Sequence, residues 1–357
     1  MKRLLAICAM LCSLMAVTAQ TRTFPWQNVQ REYLLFEPSG RTGAVPVMYF
    51  LHGLGDNISR CDQEMHFGNL AERYGWVIVV PQATSVGGYT MWNAGLGGTS
   101  DDAGFLMALL DTLVENGAVN PDSVFFTGFS MGGFMTHRMA IEHGDRITAC
   151  APVSGLIAFA FADEVPVEPV RMMHIHGTTD NTVGWNGGSA YFGTIGISVD
   201  SIVGYWTSWN VCGDTPAVDT LPDRVNDGLR FIRYTYSGDA EFQLLKVVGG
   251  THNWYQDSIR HDIDYFDEIH KFFLGGDSSL GLDGPSGTMP AFDVWPNPAT
   301  EHLFVNISTP VTLTMYDGMG HSVMRNHIGS GVSQNMADGL YVLTDHSGTT
   351  RKILHTK

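Results

Sequence analysis

The sequence predicts an α/β fold, a mostly parallel sheet flanked by helices, followed by a small all-β domain. From about residue 28 to 274, short apolar runs rich in β-branched residues alternate with amphipathic segments. This alternation is typical of a parallel sheet covered by helices on both faces. Gly, Ser, Asp and Pro then dominate residues 275–290, and only short strand-like runs follow. The 357 residues are enough for one large and one small domain.

The individual elements follow from hydrophobic periodicity. The strands predicted in the large domain are "REYLLFEP" as an edge strand, then "VPVMYFLHG", "WVIVVPQ", "SVFFTGF", "ITACAPVSG", "VRMMHIHG" and "FQLLKVV". Helices are predicted near 59–75, 101–116 and 130–144. A last helix is predicted in "SIRHDIDYFDEIHKFFL", where the apolar residues recur every three or four positions; they are Ile259, Ile263, Phe266, Ile269 and Phe273.

The chain begins with the features of a secretory signal peptide at 1–19. A basic start precedes an apolar stretch too short to span a bilayer, and Val17-Thr18-Ala19 offers a cleavage site of small residues. The alternative is an ordinary N-terminal helix. The remaining boundaries are predicted as an α/β domain at 20–274, a flexible linker at 275–290 and a β-sandwich at 291–357.

Charge and composition exclude some partners and cofactors. Cleavage would remove Lys2 and Arg3 and no acid, so the net charge of -16 would become -18. Such a chain is a poor match for nucleic acid or an anionic membrane surface. No other apolar run reaches the length of a membrane span.

Three cysteines remain after cleavage, Cys61, Cys150 and Cys212. They allow at most one intramolecular disulfide, and a Cys61–Cys212 bond stays open. Cys150 lies in an apolar run and is expected to be a buried thiol. No C-x-x-C pair suggests zinc, and no cofactor is predicted.

The strongest chemical motif is "GFSMG", in which Ser130 lies between Gly128 and Gly132 at the end of an apolar run. G-x-S-x-G is the pattern of a nucleophile elbow, a sharp strand-to-helix turn that exposes a serine in α/β-hydrolases. Because the chain contains 41 glycines, the motif alone arises easily by chance. A base, an acid and an oxyanion site are therefore needed elsewhere.

The chain order of this fold class is Ser, then acid, then His, each on a loop that follows a strand. Asp180 follows "VRMMHIHG", and His252 follows "FQLLKVV" and two glycines, so both stand in the required order. They are the predicted acid and base. The alternatives are a turn-forming aspartate and a surface histidine.

An oxyanion hole needs two backbone N–H groups. Met131 is predicted to supply one, because it follows the nucleophile at the start of a helix, and Leu54 in "FLHGLGDN" is predicted to supply the other. His52 in that loop is interpreted as a hydrogen-bonded structural residue. His174 and His176 lie on one face of a strand, where core packing is favoured over a metal pair.

With these residues in hand, the chain resembles secreted esterases of the polyhydroxybutyrate depolymerase and feruloyl/acetylxylan esterase type, carbohydrate esterase family 1. The matching stretches are "YFLHGLGDN", "MWNAG", "DDAGFLMALLD", "FFTGFSMGGFMTHRMA", "APVSG", "HGTTDNTVGWNGG" and "GGTHNW". The resemblance implies the same Ser130, His252 and Asp180 triad and the same donors, Leu54 and Met131. It also marks Asp101-Asp102 and Trp92 as family features, here interpreted as structural.

The C-terminal segment has its own resemblance. "VWPNPATEHLFV", "YDGMGHSV" and "GLYVLTDHSGTTRKIL" are similar to the sorting domain of substrates of the type IX secretion system. The resemblance implies export through the type IX machinery, followed by release or attachment at the cell surface. The alternative is a carbohydrate-binding β-module.

Taken together, the sequence predicts a secreted serine esterase acting on feruloyl or acetyl groups of plant cell-wall polysaccharide. Trp92, Trp185 and Trp254, on or beside the catalytic loops, are the candidate substrate-binding residues; the alternative is that they only wall the pocket or pack in the core. A polyester depolymerase is the second hypothesis and a peptidase of similar fold the third. A non-catalytic carbohydrate-binding surface protein is the hypothesis from another class.

Overall fold

The computed structural model describes residues 20–189 and 193–275, together with the backbone of six strands between residues 292 and 355. The chain divides into two compact units, Met1–Ser279 and Leu280–Lys357. The predicted signal peptide at 1–19 and all but the first residue of the predicted linker at 275–290 lie outside the described residues. No helix in the described part combines the length and apolar character that a bilayer span requires.

The first unit contains fourteen strands among its described residues. They are β1 (Gln20–Trp26), β2 (Val29–Phe36), β3 (Val45–Leu51), β4 (Val77–Pro81), β5 (Thr84–Val86), β6 (Tyr89–Met91), β7 (Val119–Phe129), β8 (Ala149–Val153), β9 (Arg171–Gly177), β10 (Gly188–Ser189), β11 (Gly193–Thr194), β12 (Ala217–Thr220), β13 (Arg230–Tyr236) and β14 (Phe242–Val248).

Seven α-helices accompany them. They are α1 (Ile58–Met65), α2 (Phe67–Tyr74), α3 (Asp102–Glu115), α4 (Met131–His143), α5 (Val199–Trp209), α6 (Ser258–His261) and α7 (Tyr265–Phe273).

Ten of the strands form one sheet in the order β1-β2-β4-β3-β7-β8-β9-β14-β13-β12. The six strands from β4 to β14 in this order pair in parallel, and the outer pairs at both ends are antiparallel. The mostly parallel sheet predicted from the sequence is confirmed. The prediction that "REYLLFEP" is an edge strand is wrong, because β1 pairs along the outside of β2.

The core lies on both faces of this sheet. Along β3, Val47, Tyr49 and Leu51 belong to one cluster of buried side chains, and Met48 and Phe50 belong to another. Successive side chains of a strand point to opposite faces, so each cluster packs on its own face. Helices α3, α4 and α5 contribute to the first cluster, and α1, α2 and α7 contribute to the second.

Two predicted helices are interrupted. The segment predicted as one helix at 59–75 is two helices, because His66 adopts a left-handed conformation (φ 53°) that ends α1. The last predicted helix is broken at Asp262, which has a φ of 67°, and α7 starts anew with Asp264 as its N-cap. Apolar spacing predicted the buried face and not these backbone reversals.

The passage from β7 into α4 has no loop. Strand β7 ends at Phe129 and α4 begins at Met131, so Ser130 is the single connecting residue. Helix α4 therefore starts directly against β3, and a methyl group at Gly132 would overlap the carbonyl oxygen of Leu51. A residue with no side chain is required at that position.

The second unit contains six strands among its described residues. They are β15 (Phe292–Trp295), β16 (Phe304–Ile307), β17 (Val311–Tyr316), β18 (Ser322–Ile328), β19 (Gly339–Asp345) and β20 (Thr350–His355). Strands β15 and β16 form one antiparallel pair, and the other four form a sheet in the order β18-β17-β19-β20. These six strands are what the structure describes of this segment, and its all-β character stays a prediction. Their packing as a sandwich stays a prediction.

The contact at Gly132 leads to a stability prediction. Gly132→Ala should lower the free energy of unfolding by about 3 kcal/mol or more, because the added methyl group meets backbone atoms that have no free volume. Gly204 is the matched control, since it also lies in a helix and its added methyl group would have open space. Gly204→Ala should raise stability by about 0.5–1 kcal/mol. Chemical denaturation measures the unfolding free energy of both variants. Equal denaturation midpoints for Gly132→Ala and wild type would refute the close contact between Gly132 and Leu51.

Candidate active site

Ser130 lies in a strained turn. Its backbone has a φ of 55° and a ψ of -119°, although left-handed φ values are rare for residues other than glycine. Such strain persists where the surrounding structure fixes it and is frequent at active sites. The side chain of Ser130 makes no capping hydrogen bond to α4 and is half-buried. The hydroxyl is therefore held at the turn without being used by the helix.

Asp180 and His252 form a hydrogen bond. The Nδ1 atom of His252 lies 2.7 Å from Oδ2 of Asp180. The other carboxylate oxygen of Asp180 accepts hydrogen bonds from the backbone N–H groups of Thr182, at 2.9 Å, and Val183, at 2.8 Å. These bonds fix the carboxylate and leave one oxygen for the imidazole.

The environment of Asp180 favours its charged form. Burial by itself opposes ionisation, but the hydrogen bond and charge of His252 and the Val183 N–H outweigh it and lower the pKa of Asp180. The carboxylate is thus ionised near neutral pH. An ionised carboxylate on Nδ1 holds the imidazole so that Nε2 is free to accept a proton.

The sheet brings Ser130 to the same edge as this pair. Ser130, Asp180 and His252 follow the carboxyl ends of β7, β9 and β14, three strands within the parallel part of the sheet. The ring of Phe129, beside the serine, has its centroid 4.8 Å from that of His252. Within the described residues, no hydrogen bond joins the Ser130 hydroxyl to the imidazole. Catalytic hydrogen bonds are often long in the absence of substrate.

Two backbone N–H groups near Ser130 have the properties expected of oxyanion donors. Met131 is the first residue of α4, so its N–H has no acceptor within the helix. In the loop after β3, the N–H groups of Gly55 and Asp56 bond to Thr90 and Gly53. The N–H of Leu54 has no backbone acceptor in the described part of the chain. A methyl group at Gly53 would lie 3.6 Å from Cβ of Ser130, so this loop passes directly beside the serine.

His52 is a structural residue of this loop, as predicted. It is fully buried, donates from Nδ1 to the Gly53 carbonyl oxygen at 2.8 Å, and accepts at Nε2 from Gln82 and the Ala83 N–H. Burial lowers its pKa. With both ring nitrogens engaged, His52 shapes the loop and has no lone pair left for catalysis.

The prediction that Trp92 binds substrate is wrong. Its side chain is fully buried, and the indole N–H donates to the His52 carbonyl oxygen at 2.9 Å. A buried ring offers no face to a ligand. The Asp101-Asp102 pair is structural, as interpreted from the sequence: Asp101 caps α3, and Asp102 pairs with the buried Arg31 at 2.7 Å.

A cavity of about 290 Å³ opens beside the elbow. Its lining includes Phe129, which precedes Ser130 in the sequence, together with Gly53 and Trp254. Ser130 and His252 themselves are not among the lining residues. The Trp254 ring is otherwise packed against Phe50 and Phe266, and its indole N–H is buried without a partner among the described residues. Trp254 is also buried, with 6% of its surface exposed, so its contact with substrate stays a prediction that rests only on its place in the cavity lining.

Trp185 lies next to the acid and does not line this cavity. Its ring contacts the edge of His176 at 6.0 Å, its N–H bonds to Asp200, and the ammonium of Lys246 lies 5.1 Å from the ring centre. Contact with substrate stays a prediction for this residue.

Three buried histidines extend from Asp180 into the core, and their bonding defines where their protons are. The Trp206 N–H can only donate, so Nδ1 of His137 accepts from it at 3.2 Å. His137 then donates from Nε2 to Nδ1 of His174, also at 3.2 Å. His176 donates from Nε2 to the Val183 carbonyl oxygen at 2.8 Å.

Each of these imidazoles is neutral. Burial lowers the pKa of His137 to about 3 and lowers the pKa of His174 and His176 as well. The rings of His174 and His176 stack at 5.3 Å, which confirms that they share one face of β9 and pack in the core. Within the described residues, no group of three or more acidic, histidine or cysteine side chains is arranged to hold a metal ion.

His176 supports the acid in a way that the sequence did not reveal. The Nε2–H of His176 donates a hydrogen bond to the Val183 carbonyl oxygen, and the Val183 N–H donates to the Asp180 carboxylate. The same Nε2 lies 3.8 Å from Oδ2 of Asp180. The available signal was the spacing of four residues from His176 to Asp180 across the end of a strand. That spacing is too common to identify such a contact without coordinates.

The cysteines are not bonded to one another. Cys61, Cys150 and Cys212 are free in the structure, so the Cys61–Cys212 disulfide left open by the sequence is absent. Cys61 is buried and its thiol donates to Asp56, and Cys150 is buried, as expected. Burial raises the pKa of both buried thiols, which disfavours reactive thiolates.

Comparison with known proteins identifies both units. Residues 28–186 match the model of the family described as "Putative esterase", and residues 293–355 match the model described as "Secretion system C-terminal sorting domain". The esterase model covers less than half of the chain, so that segment is esterase-like, while the second match is a sorting domain of the type IX secretion system, which marks the chain for export to the cell surface or the medium.

Two curated relatives illustrate the similarity. A bifunctional acetylxylan esterase/xylanase of Neocallimastix patriciarum is 24% identical over 277 residues, which is 77% of this chain and 37% of the relative. Feruloyl esterase B of Piromyces equi is 28% identical over 168 residues, which is 44% of this chain and 31% of the relative. The chain therefore spans well under half the length of these two proteins.

A solved structure supports the fold. An acetyl xylan esterase from Aspergillus awamori superimposes with a TM-score of 0.51 at 15% identity, covering 66% of this chain and 94% of that one. At this identity the match establishes an α/β-hydrolase-like fold and nothing about substrate.

The role of His176 leads to a prediction with a matched control. His176→Leu should lower kcat for a p-nitrophenyl ester about tenfold with little change in KM, because the turn that orients Asp180 loses its anchor. The acid limb of the pH–rate profile should move to lower pH, since a displaced carboxylate favours the imidazolium less.

His174→Leu is the control, because His174 is equally buried on the same strand and bonds away from Asp180. It should lower the melting temperature while leaving kcat and the acid limb unchanged. The positioning role would be refuted if the acid limb of the pH–rate profile were the same in wild type and in both variants. His176→Gln retains a hydrogen-bond donor, so this variant should recover part of kcat.

The neutral histidines predict sensitivity of folding to acid. An unfolded imidazole binds its proton near pH 6.5, whereas the buried His137 does not until about pH 3. Protons thus favour the unfolded state as the pH falls through this window. His137→Gln keeps an acceptor for Trp206 and a donor for His174 without titrating. Between pH 6 and 4, the unfolding free energy of this variant should depend on pH less steeply, by about 1.4 kcal/mol per pH unit. Denaturant titrations at several pH values measure this, and an unchanged slope would contradict it.

Proposed function

We propose that this protein is a secreted serine esterase that removes feruloyl or acetyl groups from plant cell-wall polysaccharide. The observation that supports this most directly is the hydrogen bond between Asp180 and His252 at the same sheet edge as the strained Ser130. The similarity to acetylxylan and feruloyl esterases supports the substrate class. The sorting domain supports an extracellular polymer as the source of the ester.

The proposed reaction is a two-step acyl transfer. Nε2 of His252 takes the proton of the Ser130 hydroxyl, and the oxygen attacks the ester carbonyl carbon. The negative charge on the carbonyl oxygen is stabilised by the N–H groups of Leu54 and Met131. His252 then gives this proton to the ester oxygen of the sugar as the bond from that oxygen to the acyl carbon breaks, so the sugar leaves as an alcohol and the acyl group remains on Ser130.

Water completes the cycle. His252 removes a proton from a water molecule, which attacks the acyl carbon and releases the free acid and the serine. Asp180 stays ionised throughout and stabilises the imidazolium that forms twice.

The cavity beside the elbow is the proposed site for the acyl group. Its volume of about 290 Å³ is just below the range of typical small-molecule pockets, about 300–1,000 Å³. Phe129 and Trp254 supply aromatic surface against which an aromatic acid can pack. The charged pair Arg60 and Glu64 lines another part of the cavity. A cavity of this size suits a single acyl group better than several units of a polyester.

Replacement of the nucleophile tests the proposal. Ser130→Ala should lower kcat at least about 1,000-fold on every substrate that the protein hydrolyses, because no other group can form the acyl-enzyme. Ser154→Ala is the control: Ser154 also has a left-handed φ, of 47°, and is buried just after β8. A fluorophosphonate probe should label wild type and Ser154→Ala, and fail to label Ser130→Ala.

Methyl ferulate, acetylated xylan, short p-nitrophenyl esters and polyhydroxybutyrate film form the substrate panel for the full chain. Turnover of methyl ferulate or acetylated xylan that depends on Ser130 is the expected result. Clearing of the film alone would instead identify a polyester depolymerase. No turnover and no labelling would contradict catalysis and favour a carbohydrate-binding protein.

A further inference from the structure

An exposed aromatic residue lies beside the loop that carries the proposed oxyanion donor Leu54. Tyr89 has 65% of its surface exposed and Leu54 has 40%, so both present apolar surface to solvent. A methyl group at Gly55 would lie 3.6 Å from Cδ1 of Tyr89, so the tyrosine ring rests against this loop. We refer to Tyr89 and Leu54 together as the Tyr89 platform.

The position of Tyr89 is fixed by its hairpin. Strands β5 and β6 are joined by Gly87 and Gly88, whose φ values of 60° and 88° suit a tight two-residue turn. Val86 pairs with Tyr89 across this turn, and Ser85 pairs with Thr90. An exposed aromatic held in this way loses little conformational entropy when a ligand stacks on it.

Three hydrogen bonds join this hairpin to the loop after β3. The Gly55 N–H donates to the Thr90 carbonyl oxygen at 2.8 Å, and the Thr90 hydroxyl donates to the Asp56 carbonyl oxygen. The indole N–H of Trp92, directly after the hairpin, donates to the His52 carbonyl oxygen. Hydrogen bonds thus flank Leu54 on both sides. The Tyr89 ring therefore has a defined position relative to the proposed oxyanion hole.

The platform lies outside the cavity beside the elbow. Gly53 and Asp56 of the same loop line the cavity, whereas Tyr89 and Leu54 do not. An ester has two parts, and the acyl part is assigned to the cavity. The platform is exposed apolar surface on the same loop that lines the cavity with Gly53 and Asp56, where an alcohol part outside the cavity can lie.

We propose that the Tyr89 platform binds the sugar chain of the substrate, a neutral polysaccharide, by stacking of a pyranose ring on Tyr89. The C–H face of a sugar is apolar and flat, and an exposed tyrosine matches it while its hydroxyl stays in water. The net charge of -16 disfavours an anionic polymer. This inference rests on the proposed function, and it assigns the leaving-group side of the same site.

A kinetic comparison on two substrates tests the platform. Tyr89→Ala should raise KM for acetylated xylan about tenfold, the size of one aromatic stacking contact. Its kcat/KM for p-nitrophenyl acetate, which has no sugar chain, should stay within about twofold of wild type. Tyr89→Trp should retain the polymer activity. An equal loss on both substrates would overturn the inference, because Tyr89 would then serve only to support the loop.

Trp209→Ala is the matched control. Trp209 is another exposed aromatic, at the end of α5, and the next residue, Asn210, bonds to Val170 immediately before β9 begins. Trp209 therefore lies near the amino end of β9, whereas the proposed site lies at the carboxyl ends of the strands. Its KM for acetylated xylan should equal that of wild type, and a rise equal to that of Tyr89→Ala would also overturn the inference.

Binding without turnover separates the inference from the proposed function. In the Ser130→Ala background, electrophoretic mobility should be retarded in gels containing arabinoxylan and not in gels containing polygalacturonate, and Tyr89→Ala should abolish the retardation. Retardation that persists in Tyr89→Ala, or none with arabinoxylan, would refute the platform even if small esters are hydrolysed. Failure of the proposed function would instead appear as full activity in Ser130→Ala or as no hydrolysis of any ester.

Discussion

The close approach of α4 to β3 is the constraint on which the site depends. Strand β7 passes into α4 through one residue, and the absence of a side chain at Gly132 lets the helix start against the carbonyl of Leu51. Ser130 is forced into a left-handed conformation by this geometry. The same contact brings the N-terminus of α4 next to the loop that follows β3. The serine and two N–H groups that have no backbone acceptor in the described part of the chain are therefore neighbours as a result of packing.

Neutral imidazoles form the polar interior behind the site, and two of their nitrogens, Nε2 of His174 and Nδ1 of His176, have no hydrogen-bond partner among the described residues. A charged histidine in the core would need a counter-ion or water, whereas His137, His174 and His176 are kept neutral by burial and bonded mostly to one another and to the backbone. Asp180 is consequently the one charged group of this network, and its carboxylate is held by two N–H groups and His252. This arrangement places the ionised acid, itself buried, at the end of the neutral histidines.

The sequence predicted the sheet and the elbow well because their signals are local. Apolar runs between helical segments define parallel strands, and a serine between two glycines after such a run defines a turn. The predictions failed where a single residue reverses the backbone. His66 and Asp262 take left-handed conformations that their residue types permit without requiring, so one predicted helix is divided and another is interrupted. The outer strand β1 was missed, so β2 was wrongly assigned to the edge.

The aromatic residues show why substrate contacts are harder to predict than the catalytic order. Trp92 and Tyr89 are three positions apart, and composition cannot distinguish them. The fold buries Trp92 as a donor to His52 and leaves Tyr89 in solvent at the end of a glycine turn. Exposure depends on how the β5–β6 hairpin lies against the β3 loop, which is a long-range property. The role of His176 is equally long-range, because it arises only when the turn after β9 folds back over its ring.

One short loop connects all parts of the proposed reaction. Residues 52–56 contribute a buried anchor at His52, a wall of the cavity at Gly53 and an N–H without a backbone acceptor at Leu54. Gly55 and Asp56 bond to the hairpin that presents Tyr89. Because the loop is bonded on both sides, its N–H groups need little reorganisation when charge develops in the transition state. A rigid loop between cavity and platform would hold the scissile bond at the junction of acyl group and sugar.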